Sequence, residues 1–186
     1  MGLLKGGINE IIATTSHNAA PIGIHYRDGK ATMILFGGSH TAANIERDGW
    51  VVANIVHDPV LYVKTAFEDL TDDAFVEEPV GNRTMCRLAL ADAWIAFSAA
   101  VEKKTGEAIV VALTPEREII ENAVCYPVNR GFNSIIDATV HATRYRANPT
   151  PKLRHLIDYH SDIVKKCGGK KELAALSLLE GYIGQH

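Results

Sequence analysis

The stretch Phe36–Pro59, FGGSHTAANIERDGWVVANIVHDP, decides how the chain is read. Gly37 and Gly38 close an apolar run, Ser39 and Thr41 stand where a helix begins, and Gly49 stands where it ends. A short helix over TAANIERDG, with a hydroxyl cap before it and a C-cap glycine behind, brings free backbone N–H groups to the positive end of the helix dipole. That place suits a phosphate. Ser39 and Thr41 can donate to anionic oxygens, and Asn44, one turn on, shares the face of Thr41. The same segment nearly suits a nucleophile, because GGSHT is one residue short of the Gly-x-Ser-x-Gly elbow of hydrolases. Thr41 stands where that elbow needs a glycine, so a serine hydrolase using Ser39 is the alternative reading.

Outward from this stretch, strands dominate. INEIIATT (Ile8–Thr15) is rich in β-branched residues, APIGIHY (Ala20–Tyr26) alternates, and Asp28-Gly29 favours a tight hairpin into ATMILF (Ala31–Phe36). WVVANIV (Trp50–Val56) reads as a strand buried on both faces, in which Asn54 needs a partner, either a backbone group or a ligand. Pro59 opens a helix with Leu61, Tyr62, Thr65 and Ala66 inward. The acidic segment through Glu78 reads as a surface loop. Residues 85–120 supply two or three more strands with a turn at KKTGE. Strands in runs, without strand-helix alternation, give an α+β class with an antiparallel barrel.

From Asn129 the period becomes helical. Phe132, Ile135, Ile136, Thr139, Val140 and Thr143 share a stripe, ANPTP breaks it, and Thr150-Pro151 opens a second helix faced by Leu153, Leu156, Ile157, His160 and Val164. CGG ends that helix, and KKELAALSLLEGYI makes a third. The expected division is a β-rich domain over residues 1–125 and a helical extension over residues 126–186.

Composition limits the function. Nineteen Lys and Arg against 22 Asp and Glu give a net charge of −3, too balanced for a global pull on nucleic acid or anionic lipid. Acids crowd the segment Glu46–Glu78 and bases the chain beyond His141, as two solvated faces of opposite sign would. Three scattered cysteines offer neither a disulfide framework nor a zinc knuckle, and the start, MGLLKGGINE, lacks a long apolar leader, so a cytoplasmic protein is expected. LALADAWIAFSAAV is too short and too polar to span a membrane. None of the eight histidines pairs with another at the i, i+4 helical spacing of a zinc motif, so no metal is expected.

EIIATTSHNAAPIGI followed by FGGSHTAANIERDGWVVANIVHDP resembles the FMN-binding split β-barrel superfamily of flavin reductases and pyridoxamine-phosphate oxidases. The nearest likeness is an uncharacterised prokaryotic branch with a helical C-terminal extension, whose first helix NRGFNSIIDATVHATR resembles. The resemblance implies an antiparallel split β-barrel with a C-terminal helical subdomain, FMN as cofactor, a homodimer with flavin near the interface, and a nicotinamide cofactor or other electron donor. It implies phosphate-side roles for Ser39, His40, Thr41 and Asn44, and places the isoalloxazine along the first two strands at Thr14, Thr15, Asn18, Ala20 and Ile22. No basic phosphate ligand stands beside the loop, which leaves a neutral cradle, Arg144 or a second subunit. The function implied is a flavin-dependent oxidoreductase; a flavin-binding module without turnover is the other possibility within the same likeness. No catalytic side chain is assigned.

Overall fold

A computed structural model describes residues 2–184. The chain divides into two compact units: one runs to Val56 and resumes over Leu70–Val124, and the other joins His57–Asp69 to the chain from Cys125 onward.

The first unit is a closed barrel. β1 (Gly7–Thr15), β2 (Asn18–Arg27) and β3 (Lys30–Phe36) form successive hairpins, and β4 (Trp50–Ile55), β7 (Ala93–Lys104) and β8 (Ala108–Ile120) complete the order β1-β2-β3-β8-β7-β4, with β4 returning to β1. Every pairing is antiparallel. The interior is lined by Ile11 and Ala13 of β1, Ile24 of β2, Met33 and Leu35 of β3, Val51 and Ala53 of β4, Ile95 and Phe97 of β7, and Ile109 and Val111 of β8. Helix α1 (His40–Asp48) adds Ala42 and Ile45 to that core, and Gly49 ends it in the left-handed conformation at φ 69°.

β4 is buried on both faces because a two-stranded hairpin, β5 (Phe75–Val80) with β6 (Arg83–Leu88), supplies a second layer. Val80, Met85 and Cys86 of the hairpin pack on Trp50 and Val52 of β4 and on Trp94 and Ala96 of β7. The acidic segment is therefore a loop only as far as a 3-10 turn at Asp72–Ala74, after which Glu77 and Glu78 lie in a strand. Glu78 is held there by Arg87, 2.8 Å away on the facing strand. Asn54 meets backbone: its Nδ2 donates to the Ile12 carbonyl at 2.9 Å and its Oδ1 accepts from the Leu88 N–H at 2.8 Å, joining barrel and hairpin.

The second unit is all helical: α2 (Pro59–Phe67), α3 (Arg130–Ala147), α4 (Pro151–Cys167) and α5 (Lys170–Ile183). Asp58, Asn129 and Thr150 cap the first three through their side chains, and Pro59 and Pro151 open helices as their missing N–H groups allow. The buried side of α3 is Gly131, Ser134, Ile135, Ala138, Thr139 and Ala142, a stripe of smaller residues than the sequence stripe suggests. The reason is closeness: a Cβ on Gly131 would lie 2.5 Å from the Gly168 Cα. In α2 the fully buried residue is Val63, while Leu61 is half-buried.

No described helix is long and apolar enough to cross a membrane.

Candidate functional site

The hairpin β1–β2 and the start of α1 meet through side chains of the segments singled out in the sequence. Thr15 and Asn18 flank a two-residue turn whose first residue, Ser16, adopts φ 49°, a left-handed conformation unusual for a residue with a side chain. Surrounding bonds hold it. Ser16 Oγ donates to Asp48 Oδ2 at 3.1 Å and accepts from Arg47 at 3.0 Å. The Arg47 guanidinium in turn holds the Asp48 carboxyl below its ordinary range, mainly by the hydrogen bond between them.

Three further bonds tie the turn to α1. Asn18 Nδ2 donates to Thr41 Oγ1 at 3.0 Å, and Asn44 Nδ2 donates to the Thr15 carbonyl at 3.1 Å and to Thr15 Oγ1 at 3.2 Å. Thr15, Asn18, Thr41 and Asn44 thus form one cluster. Thr41 is 2% exposed, so its hydroxyl belongs to the packed base of this cluster.

Ser39 caps α1, accepting from the Ala42 N–H at 3.2 Å. Its hydroxyl proton stays available to donate. His40 is exposed at the first helical position. The amides of His40 and Thr41 have no carbonyl within the helix to bond, as at any helix start. Before them Gly38 sits at φ 84° with no atom within 4 Å of where a Cβ would be, so the loop is open on that side. Gly37 is the close approach, its N–H bonded to the Glu107 carbonyl at 2.9 Å.

The remaining sequence candidates lie elsewhere. Thr14 is fully buried and donates to the Cys86 carbonyl at 2.6 Å, so it serves the contact between β1 and β6. Ala20 pairs with Ala13 and Ile22 with Ile11, further along the β1–β2 ladder, and Ile22 packs partly against the barrel interior. Arg144 lies in the last turn of α3, in the helical unit.

The hydrolase alternative fails on geometry. An elbow serine is presented above a parallel sheet with a histidine beside it. The sheet here is a closed antiparallel barrel, and among the described residues no histidine or carboxylate is hydrogen-bonded to Ser39. Sequence reasoning missed Ser16, Arg47 and Asp48. The contacts of Ser16 with Arg47 and Asp48 span 31 and 32 positions of chain, and the local trace is a Ser-His-Asn break between two strands.

The N-terminal model of the family described as protein of unknown function (DUF447) matches residues 9–122, and the C-terminal model of the same family matches residues 129–181. The FMN-bound protein MM1853 of Methanosarcina mazei is 36% identical, with a TM-score of 0.90 over 96% of each chain. An uncharacterised protein of Methanocaldococcus jannaschii, MJ1453, is 27% identical over 193 residues, covering 92% of this chain and 96% of that protein. The 2-nitrobenzoate 2-nitroreductase NbaA of Pseudomonas fluorescens is more distant, 14% identical with a TM-score of 0.49 over 64% of this chain and 68% of that one. With both family models matched in order along a split barrel and its helical extension, this chain belongs to the DUF447 family.

Proposed function

We propose that this protein binds FMN, one per chain, with the flavin phosphate at the start of α1, and works as a flavin-dependent oxidoreductase. The observation that carries the reading is the FMN-bound protein that matches 96% of this chain at 36% identity. The residues present fit the cofactor. The open loop at Gly38, the first-turn amides of His40 and Thr41, which have no carbonyl within the helix to bond, and the spare proton of Ser39 offer donors to a phosphate. The cradle is neutral: the nearest arginine along α1, Arg47, is already bonded to Asp48 and Ser16. Ala20, half-buried on β2, leaves room for a flat ring beside the strand.

Bound FMN supplies the hydride or electron transfer, and the chain supplies position. Asn18 and Asn44 hold the β1–β2 turn against α1, so the wall for the ring and the donors for the phosphate keep a fixed spacing. A second copy of the chain completes this reading. Ile34 and Phe36, 55% and 76% exposed on β3, stand opposite Val110 and Ala108 of β8, an apolar sheet face of the kind a homodimer covers. Three unpaired cysteines suit a reducing compartment, the cytoplasm.

The test is to load the full chain with FMN, follow the flavin absorbance, and mix anaerobically with NADH or NADPH. The reading expects saturation at one flavin per chain and bleaching faster than that of free FMN. Failure to bind would overturn it. Binding with no bleaching by either nucleotide would reduce the protein to a flavin-binding module or assign it another donor.

A further inference from the structure

We propose that His17, Glu77 and Cys86 form a binding site for one divalent transition-metal ion of the zinc class. A ring nitrogen of His17, a carboxylate oxygen of Glu77 and the Cys86 Sγ all lie within 4.8 Å of one another. Zinc holds nitrogen, oxygen and sulfur donors at about 2.0–2.3 Å, so donors on one tetrahedral ion are about 3.3–3.6 Å apart. A small rotation of the exposed Glu77 or His17 side chain closes that difference.

The spacing is built by the backbone. Glu77 and Cys86 are directly opposed in the β5–β6 ladder, so their side chains leave the hairpin on one face. Cys86 is 6% exposed, and its carbonyl is fixed by the Thr14 hydroxyl. His17 comes from the β1–β2 turn, its ring stacked on Phe75 at 5.4 Å and 8°. Its Nδ1 lies 2.9 Å from Asp72 Oδ1. A carboxylate on one ring nitrogen is the usual outer support of a metal-bound histidine, and it leaves Nε2 to coordinate.

The donor set chooses the ion. A thiolate and an imidazole favour zinc and its neighbours over calcium or magnesium, which take oxygen. Three protein donors leave one tetrahedral position for water, and the exposed sides of His17 and Glu77 give the ion its entry. On binding, the Cys86 S–H bond breaks, the proton leaves to solvent and the sulfur forms the metal bond. Ligands 9 and 60 positions apart carry no spacing motif, which is why the sequence showed no sign of them.

The experiment uses the full chain with FMN bound and oxidised. Zinc sulfate is titrated by calorimetry, and cobalt(II) by absorbance in the red, beyond the flavin bands, where tetrahedral cobalt absorbs strongly. The proposal expects one ion per chain, a tetrahedral cobalt spectrum, and at least a tenfold loss of zinc affinity in Glu77→Gln and in His17→Gln. Cys86→Ser should weaken the red cobalt bands and move them to shorter wavelength, while His141→Gln, in the helical unit, should bind as the parent does. No binding, an octahedral cobalt spectrum, or unchanged affinity in both Glu77→Gln and His17→Gln would overturn it.

Discussion

Asn54 in the barrel unit and His141 in the helical unit both hold polar atoms away from water, and those atoms fare differently. Asn54 is fully buried and bonds backbone on β1 and β6. Nearby Thr14 and Thr15, 0% and 1% exposed, are bonded as well. In the helical unit, Nδ1 of His141 and Nδ1 of His160 are sealed from solvent with no hydrogen-bond partner among the described residues, their rings 5.7 Å apart and the Asp137 carboxylate 3.9 Å from the His160 nitrogen, beyond hydrogen-bond reach. The barrel therefore fixes its strands and its hairpin by directed bonds among buried polar groups, which penalise any other register. The helices are fixed by shape, through small residues that let α3 and α4 come close.

The comparison breaks most visibly at Gly131. In Gly131→Ala the new methyl meets the Gly168 Cα at 2.5 Å and its nitrogen at 2.6 Å, backbone atoms that cannot rotate away. Overpacking of this kind costs about 3 kcal/mol, the upper part of its usual range. Gly181→Ala in α5 is the control: nothing lies within 4 Å of its added carbon, and removing a helix glycine gains about 1 kcal/mol. Denaturant unfolding of both variants decides it, and equal shifts would show that close approach does not hold the helices.

Asn54→Ala should come next. It strands the Leu88 N–H inside the protein, at about 1–3 kcal/mol, and should speed hydrogen exchange at that amide more than elsewhere in the barrel. A variant as stable as the parent, with Leu88 still protected, would mean that packing alone seats the hairpin.

The smallest effect is in pH. Burial, then the charges of His160 and Arg144, push His141 below the ordinary value of 6.5, with Asp137 opposing. A depressed histidine takes up its proton more readily in the unfolded chain, so stability is full above that value and falls as pH drops from 6.5 toward the folded pKa. His141→Gln should flatten this part of the stability profile. A slope unchanged by the substitution would place it on another group.

Much of the architecture was legible because its signals were local. Ser39, Gly49, Pro59, Asn129, Thr150 and Pro151 mark helix ends by their own chemistry, and each stands at or beside an observed boundary. Alternation and the Asp28-Gly29 turn likewise mark β1 to β3. β5 was hidden because Glu77, Glu78 and Pro79 read as loop residues, and only Arg87 across the ladder makes a strand suitable for Glu78. The face of α3 is legible only in part: Ile135 and Thr139 of the expected stripe are buried, but the rest of the packed side is made of the small residues Gly131, Ser134, Ala138 and Ala142, which carry no hydrophobic signal. At the site, Thr41 and Asn44 were visible on one helical face. That Asn18 reaches Thr41 and Ser16 reaches Asp48 depends on a barrel closure that no local pattern encodes.

The central claim is that the start of α1 holds the phosphate of FMN, and titrating the full chain with FMN and with riboflavin, by flavin fluorescence, tests it most directly. The two ligands share the ring and the ribityl chain and differ at the phosphate alone. The account predicts that FMN binds at least tenfold more tightly and that Ser39→Ala, with refolding stability measured alongside to separate the cap loss of about 1 kcal/mol, narrows the gap. Equal affinities for the two flavins would contradict it.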